Sequence, residues 1–336
     1  MGLQDVARRA GVSMATVSRF LRDRQSVSAE SRQKIERALE GLGYAYRRQR
    51  RRKGSRIIVI FIPDMENPFF AGIAKNMNLF LFRAGYMLLP CNVWENDDLE
   101  NQYVRFLSKY PVEGIVLISS GKKMETFLRR LLDRHSLPIV FLDRRVDVSQ
   151  LPFIGCDNRE AGKMATQHLL QMGRRNIAFI AGKEGVSTSV ERLQGYKEAL
   201  EERGPGFREE LVIKGDFSFQ SGFEAGKKVL AMKEKIDGVF AANDFMALGC
   251  MDYLKRAEVA IPKDISVVGC DDIWAGRIYE PSLTTVRQPV SEMCELAANT
   301  LVHFIQEGKM NSFERIFRPE LIVRESSVVY LEGGDK

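Results

Sequence analysis

Several apolar runs in this chain end in a carboxylate or a carboxamide. RIIVIFIP leads to Asp64 and Asn67, LPIVFLD ends at Asp143, GVFAAND carries Asn243, and ISVVGCD ends at Asp271 beside Asp272. Such groups can hold a metal, move a proton, or accept hydrogen bonds from hydroxyls. Taken singly, each is more often a turn residue. Taken together they form a polar rim suited to a small polyhydroxylated molecule, with Arg192 able to bridge two oxygens and Phe217 able to lie against the apolar face of a ring. Acid/base catalysis needs a tuned acid beside its partner, and no such pair stands out. His135, His168 and His303 are scattered, and Cys91, Cys156, Cys250, Cys270 and Cys294 have no nucleophile neighbourhood. No GxGxxG follows a strand, and there is no GxxxxGK[ST] loop. Neither an enzyme, a metal site nor a cofactor is expected. The five cysteines are widely spaced and odd in number, so they read as small apolar side chains in a reducing cytoplasm.

The elements that must position these residues follow from the same runs. RIIVIFIP is continuously apolar, as expected of a strand buried on both faces of a parallel sheet. GYMLLPCNV, VEGIVLIS and LPIVFLD repeat it with helical segments between. A second set follows as NIAFIAG, REELVIKGD, GVFAAND and ISVVGCD. This βαβ organisation predicts two similar α/β lobes, and ligands of such sheets lie at the carboxyl ends of the strands.

The first sixth of the chain has another character. Residues 1–56 hold 15 Lys/Arg and 5 Asp/Glu, a net of +10, while the remaining 280 residues carry −4 of the chain's +6. Six of the positive charges fall in Arg47-Arg48-Gln49-Arg50-Arg51-Arg52-Lys53. That asymmetry is expected of a nucleic-acid module joined to a neutral or acidic domain. No bulky apolar stripe accompanies the basic run, no run reaches transmembrane length, and no apolar signal segment opens the chain, so no membrane role is expected. In LQDVARRA, Leu3, Val6, Ala7 and Ala10 share one helical face, and Gly11 stops the helix. Ser13 can cap a second helix, MATVSRFL, and Ser28 a third. Two short helices around Gly11-Val12-Ser13 predict a helix-turn-helix, the alternative being a small protein-docking bundle. Val17 with Phe20 or Leu21 face inward. Met14, Ala15 and Arg19 are then free for base edges, and Thr16 and Ser18 for phosphates. One such module binds weakly, so a dimer reading two half-sites of double-stranded operator DNA is expected. The basic run is either a solvated linker or a hinge laid along the phosphates.

LQDVARRAGVSMATVSRFL followed by VSAESRQKIERALEGLGY resembles the lactose/galactose repressor family of bacterial transcription regulators, and the resemblance continues to about Glu325. It implies an N-terminal all-α helix-turn-helix head and a two-lobed α/β sensor body like a periplasmic binding protein. Met14, Ala15 and Arg19 match the base-reading positions of that family, and Thr16 and Ser18 its backbone contacts. IPDMENPFF places Asn67, Phe69 and Phe70 beside the ligand cleft, and FLDR places Asp143 there. ERLQGY puts Arg192 where the family grips its effector, KGDFSF puts Phe217 at the stacking position, and AANDFMALG and GCDD add Asn243 and Asp271. PSLTTVRQP returns the chain to the first lobe, and RPELIVRES resembles the closing strand.

The chain also departs from that pattern. Gly2 stands where a Thr usually caps the first helix, Glu258 where a Gly commonly ends one, and Cys270 where an aromatic is frequent. The family's hinge helix carries a leucine that wedges into the minor groove. No Leu, Ala or Val lies between Arg47 and Ser55. A hinge of Arg47, Arg48, Arg50, Arg51 and Arg52 acts instead through phosphate neutralisation and counterion release. It is expected to be extended until it meets DNA, with arginines entering a narrow minor groove.

The expected layout is a head over 1–46, a basic hinge over 47–56, a first lobe from 57–157 plus 288–317, and a second from 158–287 plus 318–330. The expected function is a cytoplasmic, homodimeric repressor whose operator affinity is altered by a sugar or sugar acid bound between the lobes. The competing reading is a cytoplasmic sugar- or nucleoside-binding protein whose head has lost useful operator affinity. The stretch after Ser326 is too short for a heptad-bearing tail, so a tetramer is not expected.

Overall fold

The computed structural model describes residues 3–22, 27–41, 55–93, 102–103, 105–107, 109–110, 112–118, 137–145, 151–308 and 312–328. The chain divides into two units, Met1–Gly54 and Ser55–Lys336.

The first unit holds α1 (Leu3–Ala10), α2 (Met14–Arg22) and α3 (Ala29–Gly41). Gly11, at φ +64°, ends α1 in the left-handed region. Gly11 N–H then donates to Arg8 O and Val12 N–H to Ala7 O, satisfying carbonyls that the helix end would leave bare. Val12 turns back against the core of Val6, Ala10, Val17, Phe20, Ile35 and Leu39. Ser13 Oγ accepts from Thr16 N–H at 3.1 Å and Ser28 Oγ from Ser31 N–H at 3.2 Å, starting α2 and α3.

The second unit contains two six-stranded sheets. In chain order its elements are β1 (Ile57–Ile62), α4 (Pro68–Arg83), β2 (Met87–Asn92), β3 (Gly114–Leu117), β4 (Ile139–Leu142), β5 (Phe153–Cys156) and α5 (Asn158–Gln171). There follow β6 (Ile177–Ala181), α6 (Ser187–Arg203), β7 (Val212–Lys214), α7 (Phe219–Ala231), β8 (Gly238–Ala241), α8 (Asp244–Arg256), β9 (Ser266–Asp271) and α9 (Trp274–Ile278). The chain closes with β10 (Thr284–Arg287), α10 (Val290–Glu307), β11 (Glu314–Phe317) and β12 (Glu320–Ile322).

The first sheet runs β11-β5-β4-β3-β1-β2, wholly parallel; the second runs β12-β10-β9-β8-β6-β7, parallel except where β12 meets β10. Both sheets share one winding order, and in each the first strand lies inside the second. β1 shows why its run is unbroken. Ile58, Ile60 and Ile62 face one apolar layer, and Val59 and Phe61 face the other. Burial on both faces leaves no room for polar alternation.

Three short segments carry the chain between the lobes: Cys156–Asn158 into α5, Arg287–Val290 into α10, and Phe317–Glu320 from β11 to β12. The last is only Arg318-Pro319 long, so β12 enters the second sheet reversed. Helix α10 packs against α4 in the first lobe, and α5 against α6 in the second. The α5–α6 contact depends on glycine. A Cβ on Gly195 would stand 1.9 Å from Arg159 O, and one on Gly162 2.1 Å from Arg192 O. Backbones this close admit no side chain at either position.

Candidate functional site

The carboxyl ends of both sheets face one cavity between the lobes. From the first lobe come Asn67, Phe69, Phe70, Asp143 and Arg144; from the second come Thr188, Arg192, Phe217, Asn243 and Asp271.

The first-lobe half is built from two strand ends. After β1, Asn67 caps α4 by accepting from Phe69 N–H at 3.0 Å, with Pro68 in the first helical position. This turns Phe69 and Phe70 into the cleft with their rings 5.3 Å apart, edge to face. Asp64 does not line the cavity: its Oδ1 accepts from Glu66 N–H at 2.9 Å and shapes the loop. After β4, Asp143 adopts φ +69°, and Arg144 N–H donates back to Leu142 O at 2.8 Å. This tight three-residue turn is of the strained hand. It directs two successive side chains into one cavity, where an extended strand would send them to opposite faces. Asp143 N–H is pinned to Ile154 O at 2.9 Å. The Arg144 guanidinium lies 5.1 Å from the Phe70 ring and 5.2 Å from the Phe217 ring, so it stands between aromatics of opposite lobes.

The second-lobe half is built on α6 and three strand ends. Thr188 and Arg192 are four residues apart on α6 and share a face. Arg192 is buried; its Nε donates to Asn158 Oδ1 at 2.9 Å, its Nη1 to Ala242 O, and its Nη2 lies 3.5 Å from Asp271 Oδ1. Phe217, at φ +74°, presses its ring on Gly182, where a Cβ would meet it at 2.1 Å. Asn243 caps α8 through Met246 N–H at 2.9 Å and donates from Nδ2 to Phe217 O at 3.1 Å. Asp271, at φ +127°, accepts from Gln288 Nε2 at 2.9 Å. Asp143, Phe217 and Asp271 thus hold positive φ around one cavity. Conformations of this kind cluster where a site is over-determined by its surroundings.

Burial pushes the Asp143 and Asp271 carboxyls up, against the pull of Arg192 on both and of Arg144 on Asp143. One oxygen of Asp143 is buried with no hydrogen-bond partner among the described residues. A buried bare acceptor carries its full desolvation cost until a donor arrives. The cavity therefore offers an acceptor, two guanidinium groups and a phenyl ring from each lobe. That set suits the hydroxyls and ring face of a small polar molecule. Burial pushes the Cys91 thiol up to about 11 and those of Cys156 and Cys250 up to about 12, so these are not nucleophiles at neutral pH. Among the described residues no group of three His, Cys, Asp or Glu is placed to hold a metal ion, and no helix is long and apolar enough to cross a membrane.

Of the residues singled out in the sequence, Asn67, Phe69, Phe70, Asp143, Arg192, Phe217, Asn243 and Asp271 meet at this cavity, and Asp64 stands aside. Arg144 and Thr188 were missed. Thr188 was readable one turn before Arg192. Arg144 was not, because alternation along a strand assigns it to the face opposite Asp143. Cys270 is buried but does not line the cavity. Glu258, where a Gly was noted as usual, does adopt φ +57°.

In the first unit, α2 buries Val17 and Phe20 and exposes Met14, Ala15 and Arg19, with Thr16 and Ser18 at its flanks. Arg19 Nε reaches Ala15 O at 3.4 Å. The outer face of the second helix thus carries Met14, Ala15 and Arg19 as one surface. Arg47, Arg48, Arg50, Arg51 and Arg52 lie outside the described residues.

A helix-turn-helix unit preceding a two-lobed body with a polar cavity between the lobes defines a class of ligand-sensing DNA-binding regulators. Comparison with known proteins agrees. Residues 2–46 match the family described as bacterial regulatory proteins, lacI family, and residues 166–327 match a periplasmic binding protein-like domain. The chain is 31% identical to the ribose operon repressor of Halalkalibacterium halodurans, over 99% of this chain and 98% of that one. It is 33% identical to the HTH-type transcriptional repressor PurR of Vibrio atlanticus, over 96% and 98%. A transcriptional regulator CelR–cellobiose complex superposes with a TM-score of 0.76 at 32% identity, covering 97% of this chain and all of that one. A LacI family regulator of Enterococcus faecium with bound ribose gives 0.72 at 25% identity, covering 81% and 98%. The chain belongs to the lacI family of bacterial transcription regulators. These relatives are regulators and repressors, not enzymes.

Proposed function

We propose that this protein is a homodimeric, cytoplasmic repressor released from its operator by a monosaccharide bound between the lobes. The observation that carries the sugar is the cavity itself. A bare carboxylate oxygen on Asp143 and an aromatic ring from each lobe frame one small space. One relative named for ribose, and a ribose-bound neighbour, point to a pentose. Asp143 accepts from sugar hydroxyls, Phe70 and Phe217 take the ring faces, and Arg192 and Asn243 set its orientation. A ligand touching both lobes stabilises their closed arrangement and shifts the balance between closed and open bodies.

Met14, Ala15 and Arg19 read base edges in the major groove, Thr16 and Ser18 contact phosphates, and the arginines from Arg47 to Arg52 add salt-sensitive backbone attraction. A second copy is supported by large apolar side chains left exposed: Leu79, Phe82, Met87 and Leu89 on α4 and β2, and Trp274 and Ile278 on α9. The test is a thermal-shift panel of pentoses, hexoses, sugar acids and nucleosides, followed by operator binding with each ligand that raises the melting temperature. A pentose is expected to shift melting and weaken operator binding. A shift by nucleosides alone, or by a sugar that leaves operator binding unchanged, would overturn the reading.

A further inference from the structure

The first two segments that cross between the lobes are hydrogen-bonded to a cavity residue or to a residue beside one, and the third is bonded to the second. In the first crossing, Asn158 accepts from Arg192 at 2.9 Å. In the second, Gln288 donates to Asp271 at 2.9 Å and Arg287 donates to Asp272 at 2.7 Å. In the third, Glu320 accepts from Arg287 at 3.2 Å. The two bonds from the second crossing fall on Asp271 and its neighbour Asp272, and the third crossing reaches Asp272 through Arg287.

Asp272 is built as an anchor. Its side chain is 2% exposed, and its backbone sits at φ +56°. Its carboxylate takes Arg287 from the second crossing, Arg324 from just beyond β12, and Arg277 of α9 at 2.8 Å. Its N–H donates to Thr285 Oγ1 at 3.3 Å. Burial would raise this carboxyl, but the three arginines outweigh it and hold it below its ordinary value. Three guanidinium groups exceed what neutralising one charge requires. Two of them reach in from the segments that join the lobes or close the second sheet.

We propose that Asp272 is a positioning residue for the ligand response: it fixes the backbone on which Asp271 enters the cavity and ties that strand end to the second and third crossings. Contact of a ligand with Asp271 is thereby passed to the segments about which the lobes turn. The sugar part of this inference rests on the reading of the cavity given above; the tie to the crossings does not. The opposing reading is a local clamp that only stabilises the end of β9.

The full-length protein is tested as Asp272→Asn and as Arg287→Met, the latter at a side chain 40% exposed and so tolerant of change. Hydrogen exchange of the ligand-free proteins comes first. Asp272→Asn and Arg287→Met are both expected to speed exchange about tenfold in peptides covering 286–290 and 317–320. An increase confined to β9 and α9, or no increase, overturns the proposal. Ribose titration follows, on a duplex selected from a random library by the wild-type protein. The ratio of operator affinities without and with saturating ribose is expected to fall about tenfold in both variants. A wild-type ratio kept by both variants also overturns it. If the wild type itself ignores ribose, the sugar reading fails, and the exchange data alone decide the role of Asp272.

Discussion

In the second lobe Arg192 has partners on three sides, while in the first lobe one oxygen of Asp143 has none among the described residues. Both lobes wind their strands in one order and offer the same end of the sheet to the cavity. They differ in how far each has satisfied its polar groups before any ligand arrives. Arg192, Asp271 and Asn243 are held by Asn158, Gln288 and the backbone. That half is ordered by folding, so a ligand meeting it loses little to further ordering. Asp143 carries a desolvation cost that a ligand hydroxyl relieves. The second lobe therefore behaves as a fixed cradle, and the first as the half that gains from closure.

The comparison breaks most severely at Arg192→Ala. Stripping one partner from a buried ion pair costs about 3–5 kcal/mol. The urea midpoint should fall, and ribose binding should vanish in calorimetry. Unchanged stability would mean that the second lobe is not held as described.

Asp143→Asn should do the opposite in the first lobe. Loss of a hydrogen bond to a charged acceptor weakens ribose binding by about 1.5–3 kcal/mol, while unfolding stability stays level or rises. The pH dependence follows from the upward shift of Asp143. Its folded pKa exceeds its unfolded one, so the folded state holds the proton longer. Its contribution then falls as pH rises from the ordinary value, ~3.9, toward the raised one. Asp143→Asn should flatten that part of the stability profile, and an unaltered slope would place the effect elsewhere.

Gly195→Ala tests the cradle from behind. A Cβ there overlaps Arg159 O and forces α5 from α6, at about 1–3 kcal/mol. Ribose affinity should fall with it, since α6 carries Arg192 and Asn158 opens α5. Thermal melting and calorimetry on the same sample would show whether the two losses travel together.

The smallest effect separates functional strain from incidental strain. Glu258 ends α8 at φ +57°, with its own N–H on Lys255 O and Val259 N–H on Leu254 O, a capping arrangement that favours glycine. Glu258→Gly should stabilise by about 1 kcal/mol and leave ribose affinity alone. Asp143→Gly relieves a similar angle but removes the acceptor, so the same denaturation and binding assays should show binding lost.

How much was legible varies with the range of the forces involved. The head was readable in detail because its signals are local. A glycine at the end of α1, a serine before α2 and an apolar repeat of three and four are matters of neighbouring residues. The runs of the body predicted strands, and their carboxyl ends predicted where polar residues would gather. What strand patterning could not supply was Arg144. Alternation places it opposite Asp143, and only the positive φ at Asp143, in the turn closed by Arg144 N–H on Leu142 O, brings both into the cavity. Asn67 and Asn243 were singled out for the cavity, and the structure adds that each also caps the helix that follows it.

The sequence by itself determined the elements, the basic character of the first 56 residues, and the set of polar groups available to a ligand, because these depend on composition and short-range periodicity. It also marked the arginine run as the main departure from the family pattern. Only the tertiary structure decided which of those polar groups share a cavity and which are already spent on the backbone. It alone showed that Asp272 gathers three arginines next to the crossings. Residues from 67 to 271 meet at the cavity through strand order and three lobe crossings, and no local pattern encodes contacts across such distances in the chain.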